Sequence, residues 1–226
     1  MIKIAIDGLS GSGKGTLAEG LAKEFNLKHL DTGAIFRTIA VALYDEGLTE
    51  PTENNIADSL KKINVEIKFE NNKQRMILNG NDVTSRLRTE EISQLASKSS
   101  ALLKTREKYL EIVKDFSKTY DCVIDGRDIT SIVLPDADVK IYLTADDKTR
   151  AARRLKENQE KNIPCTFDEV LSNLQERDYR DTHRDIAPLI IVPDAVVVDN
   201  TNLDIEQTIN HCIKIVKEVL KKQNKI

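Results

Sequence analysis

The sequence predicts an α/β fold: a parallel sheet of five strands with helices on both faces, interrupted by a small antiparallel insertion. Three observations predict it. Short apolar runs ending in Asp or Gly alternate with stretches of helical period, which implies a parallel sheet. A glycine-rich loop, GLSGSGKGT at 8–16, joins the first such run to the first such stretch. Over 63–85 the period changes to strict alternation, the signature of an inserted hairpin.

Each element has its own reason. MIKIAID (1–7) is β-branched and apolar, a buried strand. In GTLAEGLAKEF, Leu17, Leu21 and Phe25 share one helix face. HLDTGAIFRTIAVALYDEG (29–47) takes a brief apolar step, then forms a helix carrying Ile35, Ile39, Ala42 and Leu43, with Thr32 as its N-cap. INVEIKFE alternates, NNK (71–73) turns, and QRMILNGNDVT returns as a second strand. One charged helix is expected over about 90–119. DCVIDG (121–126), DVKIYLT (138–144) and DAVVVDNT (194–201) are strands. DDKTRAARRLKENQEKN (146–162) is a helix ended by Pro164, and FDEVLSNLQERDYRDTHRD (167–185) is one closed before Pro188. IEQTINHCIKIVKEVLKK (205–222) is amphipathic and helical.

Composition narrows the function. A chain of 226 residues fits one moderate domain with a small inserted piece. The net charge of -3 lacks the basic excess of a general nucleic-acid binder, and the chain lacks aromatic platforms for bases. Cys122, Cys165 and Cys212 are far apart with no CxxC pair, so reduced thiols are expected rather than disulfides or a zinc site. No apolar run approaches the roughly 20 residues of a membrane helix, and the first strand starts at once. The expectation is a soluble cytoplasmic protein.

Gly8-x4-Gly13-Lys14 is a phosphate-loop pattern, following a strand and opening a helix. Glycines let backbone N–H groups point inward, and the helix start adds its positive end. Lys14 adds a full charge beside the β- and γ-phosphates. Gly8, Leu9, Ser10, Gly11, Ser12, Gly13, Lys14, Gly15 and Thr16 are therefore the candidate ATP-binding residues. Gly15 stands where a hydroxyl usually meets Mg²⁺. The ion would then be held mostly by phosphate oxygens and waters, with Thr16, one residue later, contacting either a phosphate or the metal's shell.

Three more clusters carry chemistry. Asp31-Thr32-Gly33-Ala34-Ile35-Phe36-Arg37 lies at the carboxyl end of the second strand, where a second substrate sits. Arg37 either grips an acceptor phosphate or is a surface arginine behind a cap. CVIDGRD ends a strand in Asp125, a candidate metal-orienting carboxylate, followed by Arg127 and Asp128 facing a second substrate or simply starting a helix. Arg150, Arg153 and Arg154 share one helix face, and Arg177, Asp181 and Arg184 share another, bordered by Arg180. Such faces are commonly solvated ion pairs. Beside a phosphate loop they suit phosphoryl transfer, where arginines stabilise spreading negative charge.

With these motifs in view, the chain resembles the bacterial cytidylate kinases. IDGLSGSGKGT, DTGAIFR, DGRDI, PDADVKIYLTA and QERDYRDTHRDIAPL carry the resemblance, from Ile4 to the C-terminal helix. It implies a three-layer P-loop fold over 1–226. A nucleoside-monophosphate-binding region would cover about 32–105, with the inserted hairpin at about 59–98, which adenylate kinases lack. A short lid would cover about 148–164. It implies phosphoryl transfer from ATP, with Mg²⁺, to CMP and dCMP, by a monomer without nucleic-acid or membrane partners.

Carried over residue by residue, the resemblance gives Thr32 and Arg37 to the acceptor nucleotide. The family often has Ser where Thr32 stands. It gives Ser97, Arg106 and Asp128 to the cytosine edge and Arg127 to the CMP phosphate. Arg177 and Arg184 would hold the same phosphate and assist transfer, and Asp181 would take the sugar hydroxyls. Arg150, Arg153 and Arg154 would face the ATP phosphates from the lid. One departure is Ile129-Thr130-Ser131 after DGRD, where family members commonly have glycine, and it bears on the local backbone. The rival readings are a kinase for another acceptor such as UMP, AMP or shikimate, a nucleotide-dependent switch, and an RNA-binding accessory protein. A switch would want a hydroxyl directly after Lys14 and a guanine-reading NKxD motif, and neither is present.

Overall fold

The computed structural model describes residues 1–71 and 73–226. Among them the chain separates into two compact units, 1–27 with 121–226, and 28–120. The elements run β1 (Lys3–Gly8), α1 (Lys14–Phe25), β2 (Lys28–Asp31), α2 (Thr32–Asp45), α3 (Ala57–Lys62), β3 (Val65–Glu70), β4 (Lys73–Leu78) and β5 (Asn81–Asp82). They continue with α4 (Glu90–Ser99), α5 (Leu103–Thr119), β6 (Cys122–Gly126), β7 (Val139–Thr144), α6 (Asp147–Glu160), α7 (Phe167–His183), β8 (Val196–Asp199) and α8 (Ile205–Lys222).

The main sheet has the order β2-β6-β1-β7-β8. In the first unit β1 pairs in parallel with β6 (Ile6↔Asp125, Asp7↔Gly126) and with β7 (Gly8↔Leu143), and β7 pairs with β8. The registers bring the carboxyl ends of β1 and β6 side by side, so the glycine loop and the DGRD turn leave the same edge of the sheet. One face carries the main core. Ile4, Ile6, Val123, Ile141 and Leu143 are covered by Leu17 and Leu21 of α1 and by Cys212, Val216 and Leu220 of α8. Each such aliphatic side chain contributes roughly 2 kcal/mol by leaving water. The α6–α7 hairpin has its own small core of Ala151, Val170 and Leu174.

In the second unit α2 packs on α4 and α5. Its other half is an antiparallel sheet, β3-β4-β5. The expected hairpin thus has a third strand. Asn79 and Gly80 both have positive φ, 49° and 81°, the backbone of a two-residue Asn-Gly hairpin turn, and the stretch read as one return strand folds back there. Of the NNK turn, Asn72 lies outside the described residues.

Two further expectations are corrected. The single helix over 90–119 is two helices, α4 and α5, broken at 100–102. Leu102 is extended (φ -81°, ψ 136°), and the Glu53 carboxylate accepts from the backbone N–H groups of Leu103 and Lys104, ending one ladder and starting another. Asp31, not Thr32, is the N-cap of α2. Asp31 is extended and its Oδ1 accepts from Ala34 N at 3.3 Å, while Thr32 is already helical.

All three cysteines are free thiols, and burial pushes Cys122 up to about 12 and Cys212 up to about 11. Among the described residues no helix is long and apolar enough to cross a membrane.

The tightest backbone approach is at Gly8, φ 152°, where a Cβ would stand 2.0 Å from the Leu143 carbonyl oxygen. Gly8→Ala is expected to lower stability by about 3 kcal/mol, read as a shift in the urea midpoint. An unshifted midpoint would contradict this packing.

Candidate active site

The glycine loop passes from β1 to α1 with left-handed backbone at Gly11 (φ 74°) and Gly13 (φ 92°). Gly13 occupies the place of a capping side chain, so α1 begins with no side-chain cap and no acidic residue in its first turn. The other helices that start in this unit are capped, α6 by Asp146, α7 by Thr166 and α8 by Asp204. A helix start with open N–H groups is a ready site for an anion. Gly15 points the same way. A Cβ there would meet no protein atom within 4 Å. Alanine would favour the helix by about 1 kcal/mol, so protein packing does not explain the glycine.

Lys14 is 6% exposed, and its Nζ donates to the Leu9 carbonyl at 2.7 Å. Burial, then the charge of Arg127, hold the ammonium well below the usual lysine range, against the attraction of Asp125, Asp7 and Asp181. The site is thus a cation withdrawn from water at an open helix start.

The DGRD turn lies beside it. Arg127 Nε donates to Asp181 at 2.8 Å and its Nη1 to the Gly126 carbonyl at 3.2 Å. Arg184 stands 3.8 Å from both Asp128 and Asp181, and its Nε donates to the Ala187 carbonyl at 2.7 Å. Arg177 stays open to solvent at its surface. Crowding by protein, then the charges of Arg127, Arg154 and Arg180, lower it to about 10 despite Asp181. One end of the first unit therefore gathers Lys14, Asp125, Arg127, Asp128, Arg177, Asp181 and Arg184. The residues after DGRD form one wide helical turn, Ile129–Val133, instead of a glycine bend. It is held by buried Asp7, whose carboxylate accepts from Ile129 N, Thr130 N and Thr130 Oγ1 at 2.9, 2.7 and 2.6 Å. Burial nonetheless raises the Asp7 pKa.

The arginines of α6 all have partners. Arg150, 1% exposed, is turned in under the loop and bonds Ser10 O, Ala145 O, Asp147 and Asp178. Arg153 donates to Asn200 Oδ1 and to the Asn200 and Leu203 carbonyls, and Arg154 pairs with Glu157 at 3.0 Å. Asn200 in turn donates to the Ser12 carbonyl at 3.0 Å.

The second unit holds the other candidates. Thr32 is buried at the start of α2, and Arg37 Nη2 donates to Asp31 at 2.9 Å across Gly33. Gln74 of β4 clamps Asp31, accepting from its N–H at 2.8 Å and donating to its carbonyl at 3.3 Å. Ser97, exposed near the end of α4, and Arg106, buried in the first turn of α5, flank the 100–102 break. The Arg106 guanidinium lies 5.8 Å from the ring centroids of Phe36 and Tyr109, which stack at 4.4 Å.

Sequence reasoning missed Asp7, Gln74, Asp178 and Asn200. Asp7 carried a signal, since β1 and β6 both end Ile-Asp-Gly. The other three look like ordinary surface polar residues.

Comparison with known proteins gives one consistent result. The sequence model of the family described as cytidylate kinase matches residues 4–218. The chain is 40% identical over 216 residues to the cytidylate kinase of Fervidobacterium nodosum, covering 96% of each. It is 42% identical over 219 residues to that of Thermosipho melanesiensis, covering 97% of this chain and 98% of the relative. Among solved structures, an uncharacterized protein from Eubacterium ventriosum aligns over 96% of this chain and 99% of its own, at TM-score 0.53 and 13% identity, a likeness of fold alone.

On the alkaline side of neutrality, below the usual lysine range, binding of ATP at this loop is expected to take up a proton onto Lys14. The ligand-free site depresses the ammonium, and a bound anion raises it again. Affinity accordingly falls as pH rises through that range. Calorimetry in buffers of differing ionisation enthalpy reads the uptake, which should vanish in Lys14→Met. Proton release by the unaltered protein would contradict it.

Proposed function

The chain belongs to the cytidylate kinase family, and on that premise we propose that it transfers the terminal phosphoryl group of ATP to CMP and dCMP, giving CDP and dCDP. The observation that carries the reading is the uncapped start of α1, with buried Lys14 held on a loop carbonyl and Arg127, Arg177 and Arg184 nearby. Such an arrangement offers open N–H groups and four cationic side chains to two phosphate-bearing ligands.

In this reading the N–H groups of Gly11 to Thr16 cradle the β- and γ-phosphates. Lys14 exchanges the Leu9 carbonyl for a phosphate oxygen and regains a partner for its charge. Arg127, Arg177 and Arg184 hold the acceptor phosphate and take up charge as it spreads over the equatorial oxygens. The acceptor is already anionic near neutral pH, so positioning and charge carry the reaction and no general base is needed. Thr32 and Arg37 meet the acceptor nucleotide, and Asp181 takes the sugar hydroxyls.

Cytosine offers an N4 donor and the N3 and O2 acceptors. Asp128 complements the first, and Arg106 with Ser97 the others. Among the described residues no three His, Cys, Asp or Glu side chains gather as a metal cage. The residues present, buried Asp125 and exposed Thr16, fit a Mg²⁺ ion held chiefly by nucleotide oxygens and water. When bound, that ion neutralises charge on the phosphates.

A panel of nucleoside monophosphates with ATP tests the proposal. CMP and dCMP should exceed UMP and AMP by at least about 100-fold in kcat/KM, and equal turnover of UMP or AMP would overturn it. Asp128→Ala should narrow that ratio more than it changes the KM for ATP. Lys14→Ala should lose about 1,000-fold in rate without a lower melting temperature, since it removes a buried cation. Retained activity would remove Lys14 from the phosphate site.

A further inference from the structure

The Ser10 peptide is gripped on both sides. Its N–H donates to Asp178 Oδ1 at 2.9 Å, and its carbonyl accepts from Arg150 Nη1 at 2.7 Å. The same Nη1 bonds Asp178 Oδ2 at 2.5 Å, which closes a ring of three groups. Arg150 is also fastened to the Ala145 carbonyl and to Asp147, and Asp147 accepts from Gln175 of α7 at 3.0 Å. At the next residue, a Cβ on Gly11 would come within 3.4 Å of Arg150 and 3.6 Å of Leu174. The loop therefore rests directly on the α6–α7 hairpin, whose far end joins the two helices at 161–166.

We propose that Arg150 and Asp178 are a positioning pair, which fixes the phosphate loop to the α6–α7 hairpin and cancels the negative charge that Asp178 would otherwise set beside an incoming triphosphate. Asp178 supplies the acceptor that orients the Ser10 peptide, and a bare carboxylate at that place would repel the ligand. Arg150 neutralises it, and in doing so commits its guanidinium to the protein. The inference rests on the ATP-binding reading only for its electrostatic half, since the tether exists in the ligand-free protein.

The test uses the full chain as Arg150→Met, Asp178→Asn, Asp178→Ala and the double variant Arg150→Met with Asp178→Asn. ATP dissociation constants, kcat, KM and amide exchange at Ser10 are measured on each. Arg150→Met is expected to weaken ATP about tenfold, with the loss falling on the ATP KM more than on kcat. The double variant should recover to within about threefold of the unaltered protein, because the exposed charge is gone. Asp178→Asn keeps an acceptor for Ser10 N–H and should retain its exchange protection. Asp178→Ala should lose it.

A double variant no tighter than Arg150→Met, or kcat falling about 100-fold or more in both Arg150 variants, would overturn the pairing and assign Arg150 to the transferred phosphate. Equal Ser10 protection in the Asn and Ala variants would overturn the tether, and this arm serves even if Arg150→Met does not fold. An unaltered protein that shows the exchange pattern but binds no ATP would instead sink the proposed function.

Discussion

A lysine ammonium removed from water next to an arginine is costly unless an anion is close. Lys14 lives under that constraint, and the loop around it is built accordingly. The neighbouring carboxylates of Asp125, Asp7 and Asp181 only partly offset the cost. The side chain donates to a carbonyl of its own loop, and the helix behind it starts without a cap. A protein shaped for stability alone would put an alanine at Gly15, where a Cβ meets no protein atom. In the proposed reaction an arriving phosphate relieves that cost, which makes relief of buried positive charge part of the binding free energy.

Open N–H groups serve only if the loop keeps its shape, and that shape is imposed from behind. Ser10 is held by Asp178 and Arg150, Gly11 leans on α6 and α7, and the Ser12 carbonyl is held by Asn200, which Arg153 braces. The α6 arginines thus connect the stretch after β8 and the α6–α7 hairpin to one short loop. Asp7 does the same for the DGRD turn, carrying the end of β1 into the wide turn after β6. Phosphate loop and DGRD turn are fixed by side chains that meet no substrate in the proposed reaction.

What was legible in the sequence was local. The glycine loop is a contiguous pattern, and α8 begins and ends where its amphipathic period does, with the Asp204–Gln207 capping box marking its start. The parallel strands were readable as apolar runs. What escaped depended on partners far along the chain. The break between α4 and α5 is made by Glu53, and Asp178 sits in ERDYRD among charges of identical appearance. The third strand does carry a local sign, the Asn79-Gly80 pair with positive φ at both residues. Arg150 has the spacing of an outward helix face, yet it turns inward because Asp178 and the Ser10 carbonyl await it on a different element.

The central claim, that residues 11–16 form a preformed phosphate cradle with Lys14 as its movable charge, is tested most directly by backbone and lysine-side-chain NMR during titration with a non-hydrolysable ATP analogue. The account predicts that the amides of Gly11 to Thr16 and the Lys14 ammonium shift together at one saturating stoichiometry, while the Asn79–Gly80 turn stays unmoved. Saturable binding that leaves the loop amides and Lys14 unshifted would contradict it.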